Sequence, residues 1–139
     1  MSEMNMIIDA TDTILGRLAS VVAKKALQGE EVTIINAEKA VISGTKESVF
    51  MKFTFKIEVG DQIRGPFMSR MSDRLVRRTI RGMLPWHSSR GRAAFKKIHV
   101  FIGNPENVKG AEVLKDITVG KLKNLRYVYV EDISKHLGA

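Results

Sequence analysis

No cysteine occurs among the 139 residues, which excludes disulfides, thiolate nucleophiles and every zinc or iron–sulfur centre built on sulfur, and agrees with a reducing compartment. Long apolar runs are missing too. Val32 to Ile35, with a threonine inside, is typical of what there is, whereas a membrane-spanning helix needs about 20 apolar residues in a row. The first twelve residues hold Glu3, Asp9 and Asp12 but no Lys or Arg. That is the wrong charge for the leading region of a signal peptide, so the expected compartment is the cytosol. His87, His99 and His136 stand far apart, without metal-ligand spacing between any two. Neither G-x-G-x-x-G nor G-x-x-x-x-G-K-S/T follows the first apolar run, so both common phosphate cradles are absent. No catalytic residue, metal ligand or cofactor is expected.

With 44% hydrophobic and 27% charged residues, the chain has the material for one packed core at the usual size of a domain. Its formal net charge is +8, which points to a polyanionic partner. Placement says more than the total. From Arg64 to Lys97 there are ten basic residues, Arg64, Arg70, Arg74, Arg77, Arg78, Arg81, Arg90, Arg92, Lys96 and Lys97, against one acid, Asp73. That segment carries +9 in 34 residues, so the other 105 sum to −1. A surplus confined to one quarter of a chain reads as a binding face. Eight of the ten are arginines, whose planar fork grips phosphate bidentately and stacks on bases.

Met6 to Ile8 reads as a strand, followed by a polar turn, Asp9 to Thr13, of helix-capping types. From Ile14 to Gln28, Leu15, Leu18, Ala19, Val22 and Ala26 recur at helical spacing, with Gly29 as a stop. Val32 to Ile35 reads as a strand buried on both faces. A strand, helix, strand unit with short loops implies a right-handed crossover and parallel strands, hence the α/β class. Ala40 to Ile42 extends the sheet. Over 45–58 two templates compete: Val49, Phe50, Phe53 and Ile57 fit a helix, while Phe53, Phe55, Ile57 and Val59 fit strand alternation, and the reading taken is helix. Ser72 is expected to cap a helix over Asp73 to Leu84, which Pro85 closes. Gly91 to Lys97 reads as a short helix, His99 to Ile102 and Tyr127 to Val130 as strands, Asp132 to Leu137 as a terminal helix, and 108–124 as loop with some helix.

The sharpest pattern lies in the helix that starts at Asp73. Arg74, Arg77, Arg78 and Arg81 stand at i, i+3, i+4 and i+7, within a sector of about 100°, while Leu75, Val76, Thr79, Ile80 and Met83 take the other side. Like charges so spaced repel one another, a cost that a polyanion would relieve. Next comes a loop with Trp86, the only tryptophan, beside His87, Arg90 and Arg92. Trp86 suits base stacking or a hydrophobic plug beneath the loop, and His87 suits a base contact or a plain polar position. Ser88 and Ser89 are placed to cap the helix that follows. Asp9 and Asp12 read as turn and capping residues rather than paired catalytic acids, since no base or nucleophile accompanies them.

The strings DATDTILGRLAS at 9–20, NAEKAVISG at 36–44, RGPF at 64–67 and RTIRGMLPWHSSRGRAAFKKIHVFIGNP at 78–105 together resemble the L13 family of large-subunit ribosomal proteins, in its archaeal form. The likeness runs in order from Asp9 to about Pro105. It implies a compact three-layer α/β/α domain with a small mixed, mostly parallel sheet, no enzymatic activity, and a place on large-subunit (23S) ribosomal RNA beside neighbouring ribosomal proteins. By the same resemblance, Arg64, Arg77, Arg78, Arg81, Arg90, Arg92 and Lys97 face RNA. Arg70, Arg74, Trp86, His87 and Lys96 join the expected site from the charge and ring pattern.

Two other classes fit less of the sequence. A small α/β enzyme acting on a nucleotide or phosphorylated substrate would use the Asp9 to Thr13 turn and a few convergent arginines, not ten basic residues on consecutive elements. A membrane-surface protein would need large apolar residues flanking its basic face, whereas the Arg helix commits its apolar side to a core. Neither a membrane nor a small-molecule substrate is expected as a partner.

Overall fold

The computed structural model describes residues 5–61, 63–66, 69–104, 111, 118 and 126–138. Apart from Ala111 and Thr118, the stretch 108–124 lies outside the described residues, and with it the expected loop and helix there. Strand β1 (Asn5–Asp9) leads into α1 (Leu15–Leu27), and β2 (Glu31–Ile35) returns parallel to β1 with Ile8 opposite Ile34. Gly29 ends the helix with φ 93°, a left-handed turn that costs glycine little. On the other side of β2 runs β4 (Ile98–Val100), also parallel, with Val32 opposite Ile98. The central sheet thus has the order β1-β2-β4, and both crossovers advance in one direction. Right-handed connections then place the intervening helices on one face, towards which Ile8, Val32, Ile34 and Ile98 point, all fully buried. Thr33 and His99, their neighbours of opposite parity, are half-buried and exposed. The expected burial of β2 on both faces therefore holds for Val32, Ile34 and Ile35 but not for Thr33.

β3 (Val41–Ser43) leaves this sheet and pairs antiparallel with β5 (Tyr127–Tyr129). The two ladders are tied together where the Val41 amide donates to the Thr13 carbonyl at 2.9 Å. The turn before α1 does not cap it as expected. Its N-cap is Ile14, with no side-chain cap, because the polar side chains of the turn bond one another instead.

Helix α2 (Lys46–Glu58) settles the ambiguous segment. Thr45 caps it by accepting from the Ser48 amide at 3.3 Å, and Val49 and Phe53 are buried. The strand-period pair Phe55 and Val59 is left exposed. α3 (Ser72–Gly82) starts one residue before Asp73, with Met71 rather than Ser72 at the cap, and stops two residues before Leu84. Ser72 is buried, and Leu84 has already left the helix to enter the core at 6% exposure. Pro85 therefore follows a helix that has already ended. α4 (Ser89–Lys96) is capped by Ser88, whose hydroxyl accepts from the Gly91 amide. α5 (Val130–His136) closes the chain against α3 and α2. The class is α/β with a small, mostly parallel sheet, as read from the sequence.

Candidate nucleic-acid interface

α3 separates its two sides cleanly. Leu75, Val76 and Ile80 are buried, and each fully buried aliphatic side chain stabilises the fold by roughly 1.5–3 kcal/mol. Arg74, Arg77 and Arg78 are exposed, and Arg81 is half-buried. Met83, expected on the apolar side, is 45% exposed, since the helix ends before its direction carries it into the core. Asp73 accepts from the Arg74 amide at 2.9 Å and forms no salt bridge among the described residues. Among the described residues, Lys135 pairs with Glu131 and the His99 ring lies 3.0 Å from the Glu31 carboxylate, and no described carboxylate pairs with any of the ten basic residues of 64–97.

Their partners are aromatic. The Arg81 guanidinium lies 4.1 Å from the Trp86 ring centroid and that of Arg77 lies 4.4 Å from the Phe95 ring. Trp86 and Phe95 meet edge to face at 5.3 Å and 89°. Arg92 approaches Trp86 at 5.9 Å and donates from Nε to its carbonyl at 3.0 Å. Each cation over a ring contributes about 0.5–1 kcal/mol at such exposed sites, which offsets part of the repulsion along α3. The loop that carries Trp86 is set by the Pro85 carbonyl, which accepts from both the amide and the hydroxyl of Ser88. Gly91 packs directly onto that carbonyl, where a Cβ would lie 2.0 Å from the oxygen.

An open groove of about 830 Å3 runs between α2 and α3 and is closed at one end by these rings. It collects Arg74, Arg77, Arg78, Arg81 and Trp86 from the expected set, and adds Phe55 and Lys56, which sequence reasoning missed. The usable signal was the Lys52 and Lys56 pair at i, i+4, just upstream of the basic segment. Burial lowers the Lys56 ammonium pKa, and the nearby charges of Lys52 and Arg78 lower it further. His87 is exposed beside the groove in a shallower depression with Arg78 and Arg81. Arg90 and Lys96 are exposed on α4. The remaining three lie apart from the groove. Arg64 sits exposed in a tight turn closed by reciprocal Asp61 and Gly65 backbone bonds. Arg70 gives its carbonyl to the Ser134 hydroxyl at 2.7 Å, and the Lys97 ammonium reaches the Gly29 carbonyl at 3.4 Å.

The turn after β1, where an α/β enzyme would place its site, is filled with its own bonds. Asp9 Oδ1 accepts from the Thr11 amide, the Thr11 hydroxyl and the Asn36 side-chain amide. Burial alone would raise the Asp9 pKa, but these bonds and the charge of Lys39 outweigh it and hold the carboxyl below its ordinary value. Asp12 accepts from the Tyr129 hydroxyl at 2.8 Å, and that bond pushes the phenol up to about 12. No cluster able to hold a metal occurs among the described residues.

The sequence is similar to a known family. The family described as Ribosomal protein L13 matches residues 3–107. A protein of Archaeoglobus fulgidus named large ribosomal subunit protein uL13 is 44% identical over 135 residues, covering 95% of this chain and 86% of its own. Proteins of the same name from Methanococcus maripaludis and Natronomonas pharaonis are 45% and 42% identical, with 96% and 99% of this chain covered and 98% and 93% of theirs.

Proposed function

The chain belongs to the ribosomal protein L13 family, a family of structural ribosomal proteins and not of enzymes, and on that premise we propose that it binds large-subunit (23S) ribosomal RNA through α3 and the loop and helix that follow. Its role in translation is then that of a structural constituent of the large subunit that supports assembly. The whole chain, 1–139, forms one ribosomal-protein domain, and 64–97 supplies most of its RNA-binding face. Arg74, Arg77, Arg78 and Arg81 grip backbone phosphates. Arg90, Arg92 and Lys96 extend the contact along α4, with Arg64, Arg70 and Lys97 at its margins and Trp86 and His87 between the two helices. Neighbouring ribosomal proteins complete the surroundings.

The observation that carries this reading is the row of α3 arginines, which have no carboxylate partner among the described residues. A protein evolved only for solubility mixes signs on such a face, and phosphate contact gives affinity while RNA shape gives selectivity. The test is to sediment a cell extract, probe for this chain, and compare parent with Arg77→Ala/Arg81→Ala. The parent should travel with the large subunit and the variant should shift towards free protein. A parent found wholly at the top of the gradient would end the reading.

A further inference from the structure

We infer that the groove between α2 and α3 is a subsite for one unpaired nucleotide of RNA, its base laid on Phe55 and its phosphates held by Lys56, Arg74 and Arg78. The inference rests on the RNA-binding reading and adds to it a place where RNA is read as a single strand. The groove has two unlike walls. On α2 and at its C-cap, Met51, Phe55 and Val59 form an apolar stripe at i, i+4 and i+8, exposed by 73%, 69% and 39%, and the last two line the groove. Facing them are the α3 arginines, and no acidic residue lines the space among the described residues. A nucleotide has these two halves, a flat apolar base and an anionic phosphate.

Other occupants match one wall only. Duplex RNA keeps its bases stacked inside and offers phosphates alone, which leaves Phe55 and Val59 in water. An apolar peptide would cover the stripe and leave the cations desolvated and unpaired. An extruded base satisfies both, and the volume of about 830 Å3 lies in the range of about 300–1,000 Å3 typical of pockets for small ligands. Trp86 is not the platform, because Arg81 already lies on its ring and Phe95 meets it edge to face. Phe55 has no ring partner of that kind among the described residues and is exposed. Burial lowers the pKa of the Lys56 ammonium, and the charges of Lys52 and Arg78 lower it further, a like-charge repulsion that a phosphate would relieve.

The experiment compares the full chain with Phe55→Leu and Phe55→Tyr on two probes, a transcript of archaeal large-subunit ribosomal RNA and a fully paired RNA duplex. Phe55→Leu keeps an apolar side chain on an exposed helix face and removes the ring. Stacking of one base on an aromatic is worth enough for about a tenfold loss of affinity on the transcript. Duplex binding and the salt dependence of both probes should stay unchanged, and Phe55→Tyr should restore the loss. Ultraviolet crosslinking of the parent should join the Phe55 peptide to an unpaired nucleotide. A transcript affinity within twofold of the parent, an equal loss on the duplex, or a crosslink to a paired nucleotide overturns the subsite while leaving phosphate binding by α3 intact. Loss of salt-dependent binding by the parent itself would instead remove the RNA-binding reading and the subsite with it.

Discussion

At Gly91 the packing leaves no room for a side chain, since its Cα rests on the carbonyl that organises the Trp86 loop. The contacting atom is backbone oxygen, which cannot swing aside as a flexible side chain would. Gly91→Ala should therefore shift α4 away from Pro85 and destabilise the protein by roughly 1–3 kcal/mol. Thermal unfolding checks this; a melting temperature equal to the parent's would show that the loop yields freely. Replacing Pro85 by alanine is the milder change, because the accepting carbonyl remains and α3 has already ended. Asp9 offers a residue-scale test of a different kind. Its carboxyl pKa lies below the ordinary value of 3.8 because hydrogen bonds from Thr11 and Asn36 outweigh burial. The folded state thus binds the proton more weakly than the unfolded chain does, so the stabilisation is present above pH 3.8 and fades as pH falls through the lower folded value. Asp9→Asn should be less stable than the parent by about 1 kcal/mol at neutral pH, with the gap closing in acid. Denaturant midpoints across that range measure it, and a gap independent of pH would mean that the charge of Asp9 contributes nothing.

α3 is the element whose two faces the sequence displays most openly. A 3.6-residue period with arginine on one side and Leu75, Val76 and Ile80 on the other survives any choice of neighbours, because both the charge repulsion and the apolar burial demand that orientation. Arg77→Ala/Arg81→Ala should leave the fold intact. It removes two ring contacts worth about 0.5–1 kcal/mol each and relieves like-charge pairs worth about 0.2–0.5 kcal/mol each. Circular dichroism and melting should stay close to the parent while affinity for ribosomal RNA falls, and a variant that melts far lower would make these arginines structural. α2 was harder to read. Phe53, Phe55, Ile57 and Val59 satisfy a strand as well as a helix, and what decides is the Thr45 cap together with a stack of Phe50 on His136 at 4.3 Å. That partner lies in the last helix, far along the chain. The same distance in sequence hid the pairing of β3 with β5, and it hid Phe55 and Lys56 as walls of the groove. The sequence leaves Trp86 open between base stacking and a hydrophobic plug, because its partners, Arg81 and Phe95, depend on loop geometry that no spacing rule supplies.

On the scale of the molecule, the fold sorts charge by direction. The parallel sheet and its helices hold the basic residues of α3 and α4 on consecutive elements, while the turn after β1 spends its acids on internal bonds. On the proposed reading the field that RNA meets comes from a fixed array rather than from scattered surface lysines, and binding should be governed by release of counterions from the phosphates that the array neutralises. If the four α3 arginines each engage one phosphate, they alone give a plot of log affinity against log salt a slope of about −3, and contacts from α4 make it steeper. Arg77→Ala/Arg81→Ala should make that slope shallower by about 1.5, since two phosphates are released from contact. Phe55→Leu should weaken binding without moving the slope at all. Titrations of the parent and both variants against large-subunit ribosomal RNA over a range of salt give the three slopes together. A parent slope near zero would mean that the basic face does not bind through phosphates. Equal slopes for the parent and the arginine variant would place the neutralising residues elsewhere on the molecule, on α4 or the Arg64 turn.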